Sequence, residues 1–262
     1  MQHSVTDEAG RYRHHWVIVP TFDEAENVAA IVSAIDRTLP GCTVLIVDDD
    51  SPDGTADIAA HVAVTNVELV VHRRCCRRGL GAAYLDGFSV ALRGGAEVIV
   101  QMDADGSHDA AVLPRLIGLL RGSDLAIGSR YVEGGRIVGW PWQRRVLSRV
   151  ANTYARRVLS VRTRDVTSGY RAWTAAALRD VDIERVSSTG YAFLAEMLLL
   201  ASRNRLLIAE TPIEFRDREF GRSKMRAREV AGGALFLLRI GLRARPGPDK
   251  SPRNAPITVP AT

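Results

Sequence analysis

The chain has 262 residues, 46% of them apolar, with 35 Lys and Arg against 30 Asp and Glu for a net charge of +5. That length suits one large α/β domain whose core needs neither disulfides nor structural zinc. Cys42, Cys75 and Cys76 form no C-x-x-C spacing, read as incidental thiols and suit a reducing cytoplasm. The basic balance suits an anionic partner, whether nucleic acid, an acidic membrane surface or a phosphorylated substrate.

Residues 1–14 are polar and lack the apolar stretch of a secretory signal. Strand-like runs follow at Trp16–Pro20, Thr43–Val47, Val67–Val71, Glu97–Gln101 and Asp124–Ile127, with amphipathic stretches near 24–38, 55–63, 80–93 and 110–121 between them. Strand and helix alternating at this spacing predict right-handed βαβ units around a mainly parallel sheet, a single Rossmann-like α/β domain over 15–243. Residues 244–262 carry five prolines and read as a disordered tail. No run reaches the roughly 20 apolar residues of a spanning helix. The longest, Val230–Leu238, lies between Arg226, Arg228, Arg239 and Arg243, and reads as an interfacial helix or a core-packing one.

In open parallel sheets, ligands sit beyond the carboxyl ends of the strands. Acidic clusters stand at three such ends here: PTFDE after the first strand, DDDSPDGT after the second and MDADGSH after the fourth. Ser51, Asp53 and Thr55 are the residue types that cap a following helix. Capping does not account for Asp103-Ala104-Asp105, whose alternating carboxylates at a turn suit a magnesium or manganese ion that bridges a diphosphate. His108 is expected to make a hydrogen bond at the next helix start, with metal or phosphate contact as the alternative. Dinucleotide and P-loop sites are disfavoured, since no G-x-G-x-x-G follows the first strand and no G-x-x-x-x-G-K-[ST] occurs. Residues 130–164 hold nine arginines and one acid, Glu133. Nucleic-acid binding is the rival reading of this basicity, but aromatic residues are only 6% of the chain and the acidic sheet edge would repel a phosphate backbone. Trp140 and Trp142 flank Pro141 and suit either core packing or membrane headgroup depth.

With VPTFDEAEN, VDDDSPDGT, RRGLGAAYLDGF, MDADGSHD, GSRYVEGG, GWPWQRRVLSRVAN, DVTSGYRAW, GYAFLAEM and ETPIEFRDREFGRSKM in this order over 16–229, the chain resembles family-2 glycosyltransferases of the GT-A fold, and more narrowly the dolichol- and polyprenol-phosphate mannose synthases. The resemblance implies that Pro20, Phe22, Glu24, Val47 and Asp49 contact the nucleotide. It implies further that Asp103, Ala104 and Asp105 hold metal and diphosphate, that Arg130, Arg218 and Lys224 hold phosphates, and that Arg144 and Ser148 meet the lipid phosphate. Asp105, Arg130 and Arg144 are the implied catalytic set, with Asp103, Asp105 and Ser107 at a Mg2+ or Mn2+ ion. Some positions depart from the family pattern: Phe22 for Tyr, Asp50 for Gly, Gly106 for Leu, Ser107 where some relatives carry a metal-binding Gln, and Leu194-Ala-Glu196 for QxE. The implied reaction is inverting transfer of mannose from GDP-mannose to a polyprenyl monophosphate, on the inner face of the membrane and with a separate membrane protein as a candidate anchor. Glucosyl transfer from UDP-glucose, and a non-catalytic nucleotide-sugar-binding protein, are the alternatives.

Overall fold

The computed structural model describes residues 14–183, 186, 188, 190–217 and 257–258. Arg218, Lys224 and the Val230–Leu238 segment lie outside the described residues. Five parallel strands stand where the apolar runs predict them: β1 (His15–Thr21), β2 (Thr43–Asp48), β3 (Glu68–Arg73), β4 (Val98–Gln101) and β5 (Leu125–Ser129). The intervening helices are α1 (Val28–Thr38), α2 (Thr55–Ala60), α3 (Leu80–Arg93) and α4 (Leu113–Gly118), the last flanked by 3-10 turns at 110–112 and 119–121. Then come β6 (Arg136–Val138), α5 (Trp142–Leu159), β7 (Arg171–Thr174), α6 (Ala175–Asp180), α7 (Tyr191–Arg203), β8 (Ile208–Pro212) and β9 (Glu214–Arg216). Ile257 and Thr258, in the Pro-rich segment, form β10 by pairing with Ala209 and Glu210 of β8.

The main sheet has the order β10-β8-β5-β7-β4-β1-β2-β3, and β6 pairs with β9 in a separate parallel ribbon. Both faces of the sheet are covered, which explains why its strands are continuously apolar. Ile18, Leu45, Val47, Ile99 and Trp173 belong to one core cluster, together with Tyr84, Phe88 and Phe193 of α3 and α7. Val17, Val19, Val44, Ile46 and Val100 belong to the other, with Ile31, Val32 and Ile35 of α1 and Leu113 and Leu116 of α4. Alternate side chains of each strand therefore feed opposite layers.

Register brings the functional loops to one edge. Thr21 pairs with Asp48 and Asp48 with Arg73, so β1 to β3 end level, while β4 ends at Gln101 opposite Ile18, three residues earlier and toward the same edge. β7 is antiparallel to both β4 and β5, and Arg171 lies opposite Gln101 and Ile127. The segment entering β7, Ser168-Gly169-Tyr170, is thus delivered to the same edge as the segment leaving β4, Met102-Asp103.

Candidate active site

The loops after β1 and β2 are sewn together by side chains. Ser51 Oγ accepts from the Asp23 amide at 3.1 Å, Thr55 Oγ1 from the Glu24 amide at 2.9 Å, and Asp53 Oδ2 from the Ala25 amide at 3.0 Å. This corrects the helix-cap reading of Ser51 and Thr55, whereas Asp53 does both, its Oδ1 accepting from the Thr55 amide at 3.0 Å where α2 begins. Gly54, with φ of 81°, stands just ahead of α2, and Ser51 Oγ, Thr55 Oγ1 and Asp53 Oδ2 reach across to the neighbouring loop. Burial pushes the Asp53 carboxyl up, but hydrogen bonds from Thr55 and the Ala25 amide outweigh it and hold it below the usual range. Asp48 accepts from Thr21 Oγ1 at 2.9 Å and from the Ser51 amide at 2.9 Å, closing the same seam.

The expected donor residues line this seam. Pro20 is buried in β1, and Glu24 is buried with its Oε2 accepting from Asn27 Nδ2 at 2.7 Å. Phe22 is half-buried, and the Arg77 guanidinium lies 3.7 Å from its ring centroid. The Val47 side chain is fully buried in the core, at the register position where β2 pairs with Pro20 of β1 and His72 of β3. Asp49 is buried, ion-paired to Arg74, and accepts from the amides of Arg78 (3.0 Å) and Gly79 (2.7 Å). It thereby fixes the turn that opens α3.

Asp103 and Asp105 follow β4 and are partly exposed, with Ala104 buried between them. Tyr84, fully buried, donates its hydroxyl to Asp103 Oδ1 at 3.0 Å. Burial and then the Asp103 charge hold that phenol well above its usual range, so it stays a donor. Asp105 Oδ1 accepts from the Ser107 amide at 3.1 Å. Two features fit a cation and its diphosphate here. The Ser107 hydroxyl is buried and, among the described residues, has no hydrogen-bond partner. Position 169 is glycine, and a Cβ there would stand 3.2 Å from Asp103 Oδ2, in space now left over the carboxylate. Among the described residues no group of three or more His, Cys, Asp or Glu side chains forms a metal cage. Two carboxylates completed by diphosphate oxygens and water suit Mg2+ or Mn2+ better than such a cage.

His108 departs from the helix-start expectation. Its Nδ1 accepts from the Asp103 amide at 3.1 Å, while Asp109 Oδ1 makes the helix-start bond to the Ala111 amide at 2.9 Å. The ring stacks on Tyr170 at 4.7 Å, and burial lowers its pKa, so the imidazole is neutral.

On the other side of Asp103, Arg130 leaves β5 and is buried. Its Nε and Nη2 form a 2.7 Å fork on Asp165, Nη2 also reaches Thr167 Oγ1 at 2.7 Å, and its amide binds Asp165 Oδ2 at 3.0 Å. Burial raises the Asp165 carboxyl, but Arg130 outweighs this and keeps it depressed. Glu210 of β8 accepts from the amides of Arg164 (2.8 Å) and Asp165 (3.0 Å), while burial raises its own carboxyl. Arg144 Nη1 donates to Asp217 at 3.1 Å, and the guanidinium stands 3.9 Å over the Trp140 ring. Ser148 does not share that contact, because its hydroxyl pairs with the Tyr131 hydroxyl at 2.7 Å. Trp140 donates Nε1 to Asp217 at 3.2 Å and meets Phe215 edge-on, so it packs as a platform. Trp142, by contrast, is 64% exposed, in line with Val146 and Val150 at four-residue steps and beside Leu147.

Residues 16–182 match the family model described as glycosyl transferase family 2. The chain belongs to this family. It is 44% identical over 231 residues to the polyprenol monophosphomannose synthase of Mycolicibacterium smegmatis, covering 87% of each chain. It is 41% identical to the undecaprenyl-phosphate mannosyltransferase of Micrococcus luteus, covering 87% of this chain and 94% of that one. Among solved structures, glucosyl-3-phosphoglycerate synthase from Mycobacterium tuberculosis, in complex with Mn2+, UDP and glucosyl-3-phosphoglycerate, superposes with a TM-score of 0.63 at 19% identity. That match covers 92% of this chain and 83% of the other, and at this identity it establishes the shared GT-A fold.

Several residues of this family-2 glycosyltransferase site escaped the sequence reading. Tyr84, Gly169 and Asp165 stand inside GLGAAYLDGF and DVTSGYRAW, segments that carried family likeness without assigned roles. Asp217 precedes Arg218 in FRDR, where attention went to the basic residue. Glu196 also gains a place: it is buried and its Oε2 accepts from the Ser188 amide at 2.9 Å, bracing the chain ahead of α7.

Proposed function

We propose that this glycosyltransferase transfers mannose from GDP-mannose to a polyprenyl monophosphate with inversion at the anomeric carbon. The observation that carries the reading is the paired Asp103 and Asp105 at the sheet edge, with glycine rather than a side chain against Asp103 and, beside them, a buried Ser107 hydroxyl that has no partner among the described residues. Support for mannose and for a lipid phosphate comes from the relatives named above.

In this reading the seam of Pro20, Phe22, Glu24, Val47 and Asp49 receives the nucleotide. Asp103, Asp105 and Ser107 hold a divalent cation, Mg2+ or Mn2+. When bound, that ion neutralises the charge developing on the departing diphosphate. Ala104, buried between the carboxylates, leaves the backbone at 103–105 close to the diphosphate. Arg130 acts from a fixed position, because Asp165 orients its guanidinium. Arg144 and Ser148 stand four residues apart on α5 and take the acceptor phosphate, Arg144 exchanging its hold on Asp217 and Ser148 its hold on Tyr131. Arg218 and Lys224 are assigned to the phosphates by resemblance. The acceptor phosphate is already an anion at neutral pH, so alignment does more for it than a general base would.

A lipid acceptor also needs an approach to the membrane. No helix among the described residues is long and apolar enough to cross one. The exposed Trp142, Val146, Leu147 and Val150 stand on the helix that carries Arg144, Arg145 and Arg149, a pairing of apolar and basic side chains that suits an anionic membrane surface. We assign α5 this peripheral contact at the inner face. The test is transfer from a panel of radiolabelled nucleotide-sugars to a short polyprenyl phosphate, with Mg2+ or Mn2+ and with chelator. Label from GDP-mannose should enter lipid only with metal and should be lost in Asp105→Ala. Transfer from UDP-glucose instead, or full activity in chelator, overturns the assignment.

A further inference from the structure

α3 runs from the nucleotide seam to the metal-binding end. The amides of Arg78 and Gly79 are fastened to Asp49, the helix begins at Leu80, and Tyr84 reaches Asp103 one turn later. Two glycines let α3 lie close enough for this. A Cβ on Gly87 would stand 2.7 Å from Ile18 of β1, and one on Gly81 would stand 3.0 Å from Phe193 of α7. The Tyr84 ring is stacked against Phe88 and Phe193, with centroids 6.1 and 5.9 Å away, so the hydroxyl arrives on a rigid arm.

A buried phenol needs some acceptor, and a structural tyrosine usually finds a backbone carbonyl. Tyr170 does so, donating to the Asp109 carbonyl at 2.9 Å. Tyr84 instead meets one carboxylate oxygen of the residue that heads the acidic pair, a charge-assisted bond. A Cβ at position 169 would stand 3.2 Å from Oδ2 and 3.4 Å from Oδ1 of that carboxylate, and glycine there adds no side chain against it. The Asp103 amide is fixed as well, by His108 Nδ1. Backbone and Oδ1 are therefore held, and residue 169 puts no methyl group against the carboxylate.

We propose that Tyr84 and Gly169 are positioning residues for the cation site, Tyr84 by fixing the orientation of the Asp103 carboxylate and Gly169 by placing no side chain against it. The inference rests on the reading above that Asp103 holds a divalent cation. Outer-shell partners of metal-binding carboxylates change metal affinity by about 10- to 100-fold when removed. Tyr84→Phe keeps the ring and its stacking and deletes only the donor. Gly169→Ala places a methyl against Asp103 Oδ2 and leaves Tyr84 untouched.

The experiment measures Mn2+ binding by the loss of free-ion EPR signal, with saturating GDP, for the full chain, Tyr84→Phe, Gly169→Ala and Asp103→Ala. Asp103→Ala should abolish tight Mn2+ binding; if it does not, the underlying metal reading is wrong. Given that loss, Tyr84→Phe should weaken Mn2+ by about 10-fold or more, and excess Mn2+ should restore its turnover but not that of Asp103→Ala. A merely structural tyrosine would lower the melting temperature and leave Mn2+ affinity unchanged, which overturns the proposal. Should Tyr84→Phe fail to fold, Gly169→Ala decides: weaker Mn2+ binding supports the cradle, and unchanged binding refutes it.

Discussion

Asp165→Asn isolates the buried ion pair beside the site. Asp165 has no exposed surface, and its carboxylate accepts from Arg130 Nε, Nη2 and amide at 2.7, 2.7 and 3.0 Å. Asparagine keeps the shape but removes the charge, and it turns an NH2 group toward one of those donors. Arg130 is only 9% exposed, so its charge loses a counter-ion where water cannot replace it. Breaking such a pair by altering one partner costs about 3–5 kcal/mol. For a domain of this size that lowers the melting temperature by roughly 6–20 °C. The pH dependence has a definite sign. The folded-state pKa of Asp165 is depressed, so its contribution is fully present above the unfolded value of about 3.9 and fades as pH falls through the folded value. Urea unfolding at pH 7, followed by circular dichroism, should show the full loss, and the gap between wild type and variant should narrow below about pH 4. A loss under about 1 kcal/mol at pH 7, with unchanged denaturant dependence, would mean that Arg130 is neutralised by something other than Asp165.

Arg144→Lys keeps the charge and loses the planar fork, so acceptor-dependent turnover efficiency should fall by roughly 10- to 150-fold, about 1.5–3 kcal/mol, with GDP affinity by calorimetry unchanged. A collapse of GDP affinity instead would assign Arg144 to the donor. Asp50 has φ of 62°, the left-handed region that explains why glycine is usual there. Asp50→Gly should therefore raise stability by up to about 1 kcal/mol in urea unfolding, and no gain would show that the Asp50 side chain compensates. Trp142→Ser with Leu147→Ser removes two exposed apolar groups from α5 and should weaken partition onto anionic vesicles by about 100-fold, leaving GDP affinity intact. Equal partition by sedimentation would remove α5 as the membrane contact.

The parallel half of the fold was legible because its code is local. Strands buried on both faces are continuous apolar runs such as VLIV and VIVQ, and helices announce themselves by period. β7 was not legible: Arg171-Ala-Trp-Thr174 places a fully buried arginine in a central strand. That arginine is tolerated because its guanidinium donates to the carbonyls of Ser168, Val166 and Leu194 at 2.8 Å, the last of which is reached only when α7 packs beside the strand. The β6–β9 ribbon was hidden for a related reason. Two three-residue strands seventy-odd residues apart carry no period of their own, and the side-chain link across them is Arg136 of β6 on Glu214 of β9. The same division runs through the site. Asp103 and Asp105 stand out as a motif, whereas the holds on Asp103, Tyr84 on its carboxylate and His108 on its amide, are recognisable only once α3 and the loop after β4 are in place.

The arrangement of charge around Asp103 also bears on the chemistry of the acceptor. A hydroxyl acceptor calls for a base within reach of its proton, with a pKa near the working pH. Among the charged groups that act on His108 are Asp103, Asp105, Arg130 and Asp165. Of these, Asp165 is held by Arg130, and burial within that ion pair removes it from proton transfer. The imidazole of His108 is buried, with Nδ1 engaged by the Asp103 amide, so it cannot turn to a substrate without releasing the backbone of the acidic pair. Asp103 and Asp105 are the cation's own ligands in the proposed reading. In the proposed reading, what the described residues offer an acceptor is donors: Arg130 beside Thr167, and Arg144 and Ser148 along one helix face. Donors without a committed base among the described residues suit a nucleophile that arrives already ionised, which a phosphate monoester does and an alcohol does not.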